Sequence, residues 1–191
     1  MQYEIKTERL ILKILDTSFY RQQIAYQKNN REHFLNIYPA LTDDFFSEFH
    51  QMEVLRKEFQ WAMDGFAYRY YIFSKEDPFL KKILGDVSIT NILGGNAQSC
   101  KMGYKLDKDE VGRGYMAEAM QKMIKFVFDE LDLQRIEINI MPENQKSIAL
   151  AERLGFVHEG TVYSYLKING IWEDHLRYSM IKAVYDGNTD E

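Results

Sequence analysis

The stretch Asp109-Glu110-Val111-Gly112-Arg113-Gly114-Tyr115-Met116 runs straight into an apolar-periodic segment, Met116 to Leu131, so a loop with two glycines opens a long amphipathic helix. Strand-like sequence lies on both sides, Cys100 to Leu106 before it and Arg135 to Met141 after it. A strand, a glycine turn, a helix and a further strand commit the chain to a sheet with helices packed on it, an α/β or α+β fold. The junction is also suited to an anion. Successive N–H groups at a helix N-terminus converge on one point, the helix dipole adds partial positive charge, and glycine admits a close backbone approach. Ala117 stands where the dinucleotide fingerprint needs its third glycine, and no Gly-Lys-Ser/Thr follows to make a P-loop. A phosphorylated cofactor of another kind is the natural guest.

Elsewhere, Glu8 to Leu15 reads as a strand, with helical stretches around Phe19 to Lys28 and Asp43 to Met63. The aromatics Tyr38, Phe45, Phe46, Phe49, Phe59 and Trp61 are expected to pack a core, with a minority lining a cleft. Tyr68 to Phe73 and Ile83 to Thr90 have strand composition, and Asn91 to Gln98 supplies a hairpin turn before Cys100. On the long helix, Met116, Met120, Met123, Val127 and Leu131 form a buried stripe, while Glu118, Lys122, Lys125 and Asp129 face water. Ile136, Ile138 and Ile140 alternate with Glu137 and Asn139, which places that strand near the middle of the sheet. Pro142-Glu143-Asn144 opens a short helix sharing Ile148, Ala151 and Leu154 on one face, with Gly155 placed to end it. Phe156 to Lys167 and Ile171 to Ile181 are strands joined by Asn169-Gly170, a strong hairpin signal.

The 191 residues, 46% hydrophobic and 14% aromatic, suffice for one core, and with three prolines and no linker-like tract they read as one domain over 1–191. No apolar run approaches a membrane span, and Met-Gln-Tyr-Glu-Ile-Lys lacks the features of a secretory signal. Cys100 is the single cysteine, which fits a reducing, cytoplasmic setting and excludes an internal disulfide. His33, His50, His158 and His175 show no metal-ligand spacing, so no metal is expected. A net charge of -5 argues against nonspecific nucleic-acid binding and suits a cationic acceptor such as a basic peptide, a polyamine or an aminoglycoside.

The glycine loop resembles the pyrophosphate loop of the GNAT N-acetyltransferase superfamily. In the ribosomal-protein alanine N-acetyltransferase (RimJ/RimL-like) branch the resemblance covers most of the chain. It runs through Thr7-Glu8-Arg9-Leu10-Ile11-Leu12, Gly85, Met102-Gly103-Tyr104-Lys105-Leu106, the loop itself, Pro142-Glu143-Asn144, Leu154-Gly155-Phe156 and Trp172-Glu173-Asp174-His175. Residues 13 to 80 match poorly, and acceptor specificity is expected there. Asp109 departs from the pattern, standing where the family carries Gln or Arg.

The resemblance implies a mixed, mostly antiparallel sheet, splayed between the strands that flank the loop and its helix, with the pantetheine arm of acetyl-CoA in the gap. It implies a bulge near Met102 and Gly103 that aims an N–H at the thioester carbonyl. It places the diphosphate on Val111, Gly112, Arg113, Gly114, Tyr115 and Met116, and assigns Asn144 and Ser147 to the cofactor and its sulfur. Asn144 also suits a helix N-cap, and the spacing lets both side chains share one side of the short helix. Glu159 carries over as the base, acting directly or through a water, and Ser147 as the group that meets the departing thiolate. The tyrosine acid of other acetyltransferases would fall near Ala151 and is absent. The implied reaction is direct transfer of acetyl, without a covalent enzyme intermediate, to a primary amine, foremost the N-terminal amine of a ribosomal protein. A rival route through an acetylated Cys100 lacks a base to activate the thiol. The alternatives are a polyamine or aminoglycoside acetyltransferase, or a non-catalytic acyl-CoA-binding module. Homo-oligomers are compatible with the family, but no interface is legible.

Overall fold

The computed structural model of the protein describes residues 2–35 and 42–189. The strands are β1 (Glu4–Lys6), β2 (Leu10–Lys13), β3 (Tyr68–Ser74), β4 (Gly85–Leu93), β5 (Ser99–Leu106), β6 (Arg135–Ile140), β7 (Val157–Ile168) and β8 (Ile171–Ile181). The helices are α1 (Tyr20–Asn29), α2 (Glu48–Met63), α3 (Tyr115–Asp129), α4 (Gln145–Arg153) and α5 (Lys182–Thr189). One eight-stranded sheet runs β1-β2-β3-β4-β5-β6-β8-β7, antiparallel throughout except where β5 lies parallel to β6. The parallel pair follows from the α3 crossover, since reversing direction twice through a helix brings β6 back alongside β5.

Each face of the sheet carries its own core. Leu10, Tyr70, Val87, Met102 and Ile136 meet α3 on one face, where Met120, Met123 and Val127 are fully buried. Each of those three side chains contributes roughly 1.5–3 kcal/mol by leaving water. On the other face Tyr71 and Phe73 pack with Tyr26 of α1 and Leu55 of α2. Charge is sealed there too. Buried Asp86 pairs with Arg69, lies 3.6 Å from Lys105 Nζ and accepts from Tyr26 Oη at 3.3 Å, while Glu58 of α2 accepts from Arg69 Nε and Tyr71 Oη at 2.8 Å each. Two anions and two cations therefore neutralise one another under the helices, which fixes α1 and α2 against β3 and β4. Gly85 permits this register. A Cβ there would lie 2.6 Å from the Lys105 carbonyl oxygen on the neighbouring strand.

Several elements depart from the sequence reading. β1 and α5 were not expected. The helix read from Asp43 breaks into a 3-10 turn, Asp43–Phe46, and then α2, because Ser47 caps the latter by accepting from His50 N at 3.2 Å. Phe49 and Trp61, expected in the core, are 79% and 49% exposed, since α2 turns Gln51, Leu55 and Ala62 inward and these two residues lie about 120° to either side of Leu55. Phe46 is buried as expected, and Tyr38 lies outside the described residues.

Candidate active site

β5 and β6 pair over only three residues, Ser99 to Lys101 against Arg135 to Glu137, and then part. Beyond that point Met102 to Leu106 pair only with β4, and Ile138 to Ile140 only with β8. A V-shaped gap therefore opens in the middle of the sheet, lined by backbone groups without a strand partner. Such groups are costly when buried unless something bonds them, so the gap is made to receive an extended polar chain. The bulge expected near Met102 and Gly103 is elsewhere. β4 and β5 stay in register through Ser88–Gly103 and Ile89–Met102, and the slip falls between Thr90 and Leu93, where Asn91 takes a positive φ of 51°.

At the mouth of the gap lies the glycine loop. Gly112 and Gly114 have φ of +88° and +78°, and Gly114 caps α3 without any side chain bonding the first N–H groups of the helix. Those amides remain available to a ligand. Nothing lies within 4 Å of a Cβ built on Gly112, so the approach is open. Asp109 does not intrude. Its carboxylate meets Lys108 Nζ at 3.0 Å, a bond that holds it below the ordinary carboxylate range, and Arg113 pairs with Glu110 at 3.2 Å. Asn30 at the end of α1 anchors the segment from below, donating to Asp107 Oδ2 at 2.8 Å and accepting from Lys108 N at 2.8 Å.

The structure also explains the N-terminal Thr7-Glu8-Arg9 signature, whose purpose sequence reasoning did not reveal. Glu118, in the first turn of α3, accepts from Thr7 Oγ1 at 2.5 Å, from Arg9 N at 2.8 Å and from Arg9 Nε at 2.7 Å. Burial pushes the Glu118 carboxyl up, but the bonds from Thr7 and Arg9 outweigh it and hold the group below its ordinary value. Arg9 continues to the loop, donating from Nη1 to the Arg113 carbonyl at 3.0 Å and stacking 4.9 Å over the Tyr115 ring. A residue about a hundred positions away in sequence thus clamps both the loop and the helix it opens.

On the far side of the gap, Asn144 caps α4, its Oδ1 accepting from Ser147 N at 3.2 Å. Ser147 is reached from the opposite wall as well. Tyr104 of β5 donates from Oη to the Ser147 carbonyl at 3.2 Å, and burial pushes this phenol up to about 12. Asn144, Ser147, Met102 and Gly103 are therefore gathered around the split, with the glycine loop following the end of β5.

Glu159 is placed differently. It lies on β7, two strands out from β6 and so about 10 Å away by strand spacing. There it accepts from Arg135 through both oxygens, one at 2.9 Å, and from Ser179 Oγ at 2.7 Å. The Arg135 guanidinium first, and Ser179 second, pull its carboxyl down to about 2. A carboxylate so held is a weak proton acceptor. Cys100 is buried, which pushes its thiol up to about 12 and leaves it unreactive at neutral pH. Among the described residues no helix is long and apolar enough to cross a membrane.

A mixed sheet parted between its two parallel strands, with open helix amides at the mouth of the parting, is the frame of the candidate site. The acetyltransferase (GNAT) domain profile matches residues 10–157, and the chain belongs to this family of N-acetyltransferases. A probable N-acetyltransferase, YjcK, of Bacillus subtilis is 31% identical over 90% of the chain and 93% of its own length. The alanine N-acetyltransferase of ribosomal protein uS5 from Escherichia coli is 31% identical over 90% of the chain and 87% of its own. The crystal structure of the ribosomal-protein-S5-alanine acetyltransferase of Vibrio fischeri superposes with a TM-score of 0.86 at 29% identity, covering 94% of this chain and 97% of that one.

Proposed function

We propose that the protein transfers the acetyl group of acetyl-CoA directly to a primary amine, foremost the N-terminal amine of a ribosomal protein. The observation that carries this reading is the V-shaped parting of β5 and β6 with the open amides of Gly112 to Met116 at its mouth. Similarity to relatives named for ribosomal alanine termini supports the acceptor. Val111, Arg113, Tyr115 and Asn144 complete the cofactor surface in this reading.

The chemistry asks little of a protein base. An α-amine with a pKa of about 7.7–8.0 is partly neutral at physiological pH, unlike lysine at about 10.4, so it can attack the thioester without prior deprotonation by a strong base. The nitrogen bonds the carbonyl carbon, the carbon–sulfur bond breaks, the thiolate leaves, and the proton that the acylated nitrogen sheds passes to solvent water, from which the thiolate is in turn protonated. Ser147, whose hydroxyl has no hydrogen-bond partner among the described residues, donates to that sulfur. Replacing Ser147 by alanine is expected to lower kcat about tenfold while KM for acetyl-CoA changes less than twofold, the loss of one hydrogen bond made as the thiolate departs. Stopped-flow thiol release checks this, and an unchanged kcat removes Ser147 from the reaction.

Glu159, in our reading, anchors Arg135 and the β7–β8 end of the sheet and does not take the proton. Glu159→Gln should then keep kcat within about threefold at pH 7, as expected for a group outside the transition state. Its effect should appear in acid stability. The folded carboxyl sits at about 2 against an ordinary 4.5, so its contribution to stability is complete above about 4.5 and is lost as pH falls from there toward 2. Thermal melts of the wild type from pH 7 to pH 3 should show a steeper decline than those of Glu159→Gln. A loss of kcat of a hundredfold or more, with a flattened pH–rate profile, would restore Glu159 as the base.

The acceptor class is tested by a screen of peptides with free or blocked N-termini, spermidine and an aminoglycoside. Transfer confined to free α-amines supports the proposal. Transfer to spermidine in preference would support the small-amine alternative, and CoA binding with no transfer to any of them would support a binding module.

A further inference from the structure

The β7–β8 hairpin carries a feature that neither the cofactor site nor the fold requires. Between Val162 and Leu166, β7 spends three residues against one on β8, Asp174. The bulge is built deliberately. Ser164 takes a φ of +47° and its N–H donates to Asp174 Oδ1 at 2.7 Å, while the ring of buried His175 packs edge-on to Tyr165 at 5.1 Å. The effect is to bring the Tyr165 hydroxyl across β8 to β6 and β5.

Its oxygen accepts from Lys101 Nζ at 2.6 Å and from Asn139 Nδ2 at 3.3 Å. Lys101 is the last β5 residue paired with β6, and Asn139 stands on β6 beyond the parting. The phenol therefore spans the vertex of the gap. It does so on the face opposite α3, because Lys101 and Asn139 alternate with Cys100, Met102, Ile138 and Ile140, which are buried in the α3 core. On that face Arg135, Glu137 and Asn139 are only partly buried, so the acceptor can arrive there. A phenol has one hydrogen to donate and two lone pairs to accept with. Both lone pairs are taken, and among the described residues nothing accepts the hydrogen. Asn139 cannot turn its oxygen to it, since Oδ1 accepts from Arg177 Nε at 3.4 Å.

Resting on the function proposed above, we infer that Tyr165 binds the acceptor, donating its free hydrogen to the carbonyl oxygen of the acceptor's first residue. The ligand class is an amine with a carbonyl one carbon away, the N-terminal residue of a peptide, and not an alkylamine. In such a residue the amine and the carbonyl oxygen lie within one residue's span, so a donor fixed over the vertex orients the nitrogen toward a thioester held in the gap. Asp174 and His175 are positioning residues for Tyr165, which gives the Trp172-Glu173-Asp174-His175 signature a purpose.

The test compares an alanyl peptide with an alkylamine of the same length in which the first carbonyl is a methylene, using wild type and Tyr165→Phe. Wild type should prefer the peptide about tenfold or more in kcat/KM, and Tyr165→Phe should lose that preference while KM for acetyl-CoA and the alkylamine rate stay unchanged. Equal rates for the two amines in wild type, an unaltered preference in the variant, or equal losses on both substrates would each overturn the inference while leaving the acetyltransferase reading intact. Failure of the wild type to acetylate either amine would overturn both.

Discussion

Replacing Gly114 by valine is expected to raise KM for acetyl-CoA, and Kd for CoA, about a hundredfold. Gly114 caps α3 with a φ of +78°, a region that a β-branched residue avoids at a cost of roughly 1–2 kcal/mol. Relief of that strain swings the chain toward negative φ and turns the amides of Tyr115 and Met116 away from their shared focus. A hydrogen bond from an amide to a charged oxygen contributes roughly 1.5–3 kcal/mol, so misaligning two of them costs about 3 kcal/mol or more, which is the hundredfold. Gly95→Val is the matched control. Gly95 has a φ of +62° in the β4–β5 turn with open space around it, so it suffers comparable strain away from the gap and should bind CoA as wild type does. Calorimetric titration with CoA measures both. Wild-type affinity in Gly114→Val would show that these amides do not carry the cofactor.

The second large effect lies far from any atom that reacts. Arg9→Ala is expected to raise KM for acetyl-CoA about tenfold with kcat retained, the pattern of lost ground-state binding. Arg9 and Thr7 hold Glu118 at the start of α3, and Arg9 alone also holds the Arg113 carbonyl between the two glycines. Without it the loop must be ordered by the ligand, and that ordering weakens binding. The substrate S-acetylpantetheine separates this from a general loss of folding. It lacks the diphosphate, so its kcat/KM should be the same in wild type and Arg9→Ala. Glu118→Gln should give part of the same defect, and the double variant Arg9→Ala/Glu118→Gln should lose less than the sum of the two single losses, because the side chains share the Arg9 Nε–Glu118 contact. An equal loss on both acetyl donors would place Arg9 in fold stability instead.

Local patterning makes most of the architecture legible in the sequence. α3 follows from its methionine and valine stripe, β6 from the Ile136, Ile138 and Ile140 alternation, and the β7–β8 hairpin from Asn169-Gly170, which take φ of 50° and 87° as that turn demands. Gly155 ends its helix at a φ of +90°, again as its position implied. β1 escaped notice because three residues, Glu4 to Lys6, are too few to show a period. Phe49 and Trp61 misled because hydrophobicity alone does not say which side of a helix faces in, and α2 buries polar Gln51 instead.

The site divides along similar lines. Gly112 and Gly114 stand out from their place before α3, whereas Asn144 and Ser147 come from the family resemblance, spacing adding only that both can share one side of the short helix. What sequence could not reveal is contact across the sheet. The Arg9–Glu118 clamp joins residues 109 apart, Tyr104 meets Ser147 across the gap, and Arg135 and Ser179 enclose Glu159. The last of these matters most for mechanism, since the resemblance names Glu159 as the base and only the fold shows the guanidinium and the hydroxyl that hold its carboxylate. Tyr165 was hidden for another reason. Its reach depends on a bulge, and a bulge breaks the alternation by which strand residues are sorted to one face or the other.

The most direct measurement is a crystal structure of the protein with CoA. The account predicts diphosphate oxygens within about 2.7–3.2 Å of amide nitrogens between Gly112 and Met116, with the pantetheine arm lying between β5 and β6 and its sulfur beside Ser147. A cofactor seated elsewhere, for example with its phosphates on Lys81 and Lys82 in the cavity of about 320 Å³ beside α1, would contradict it.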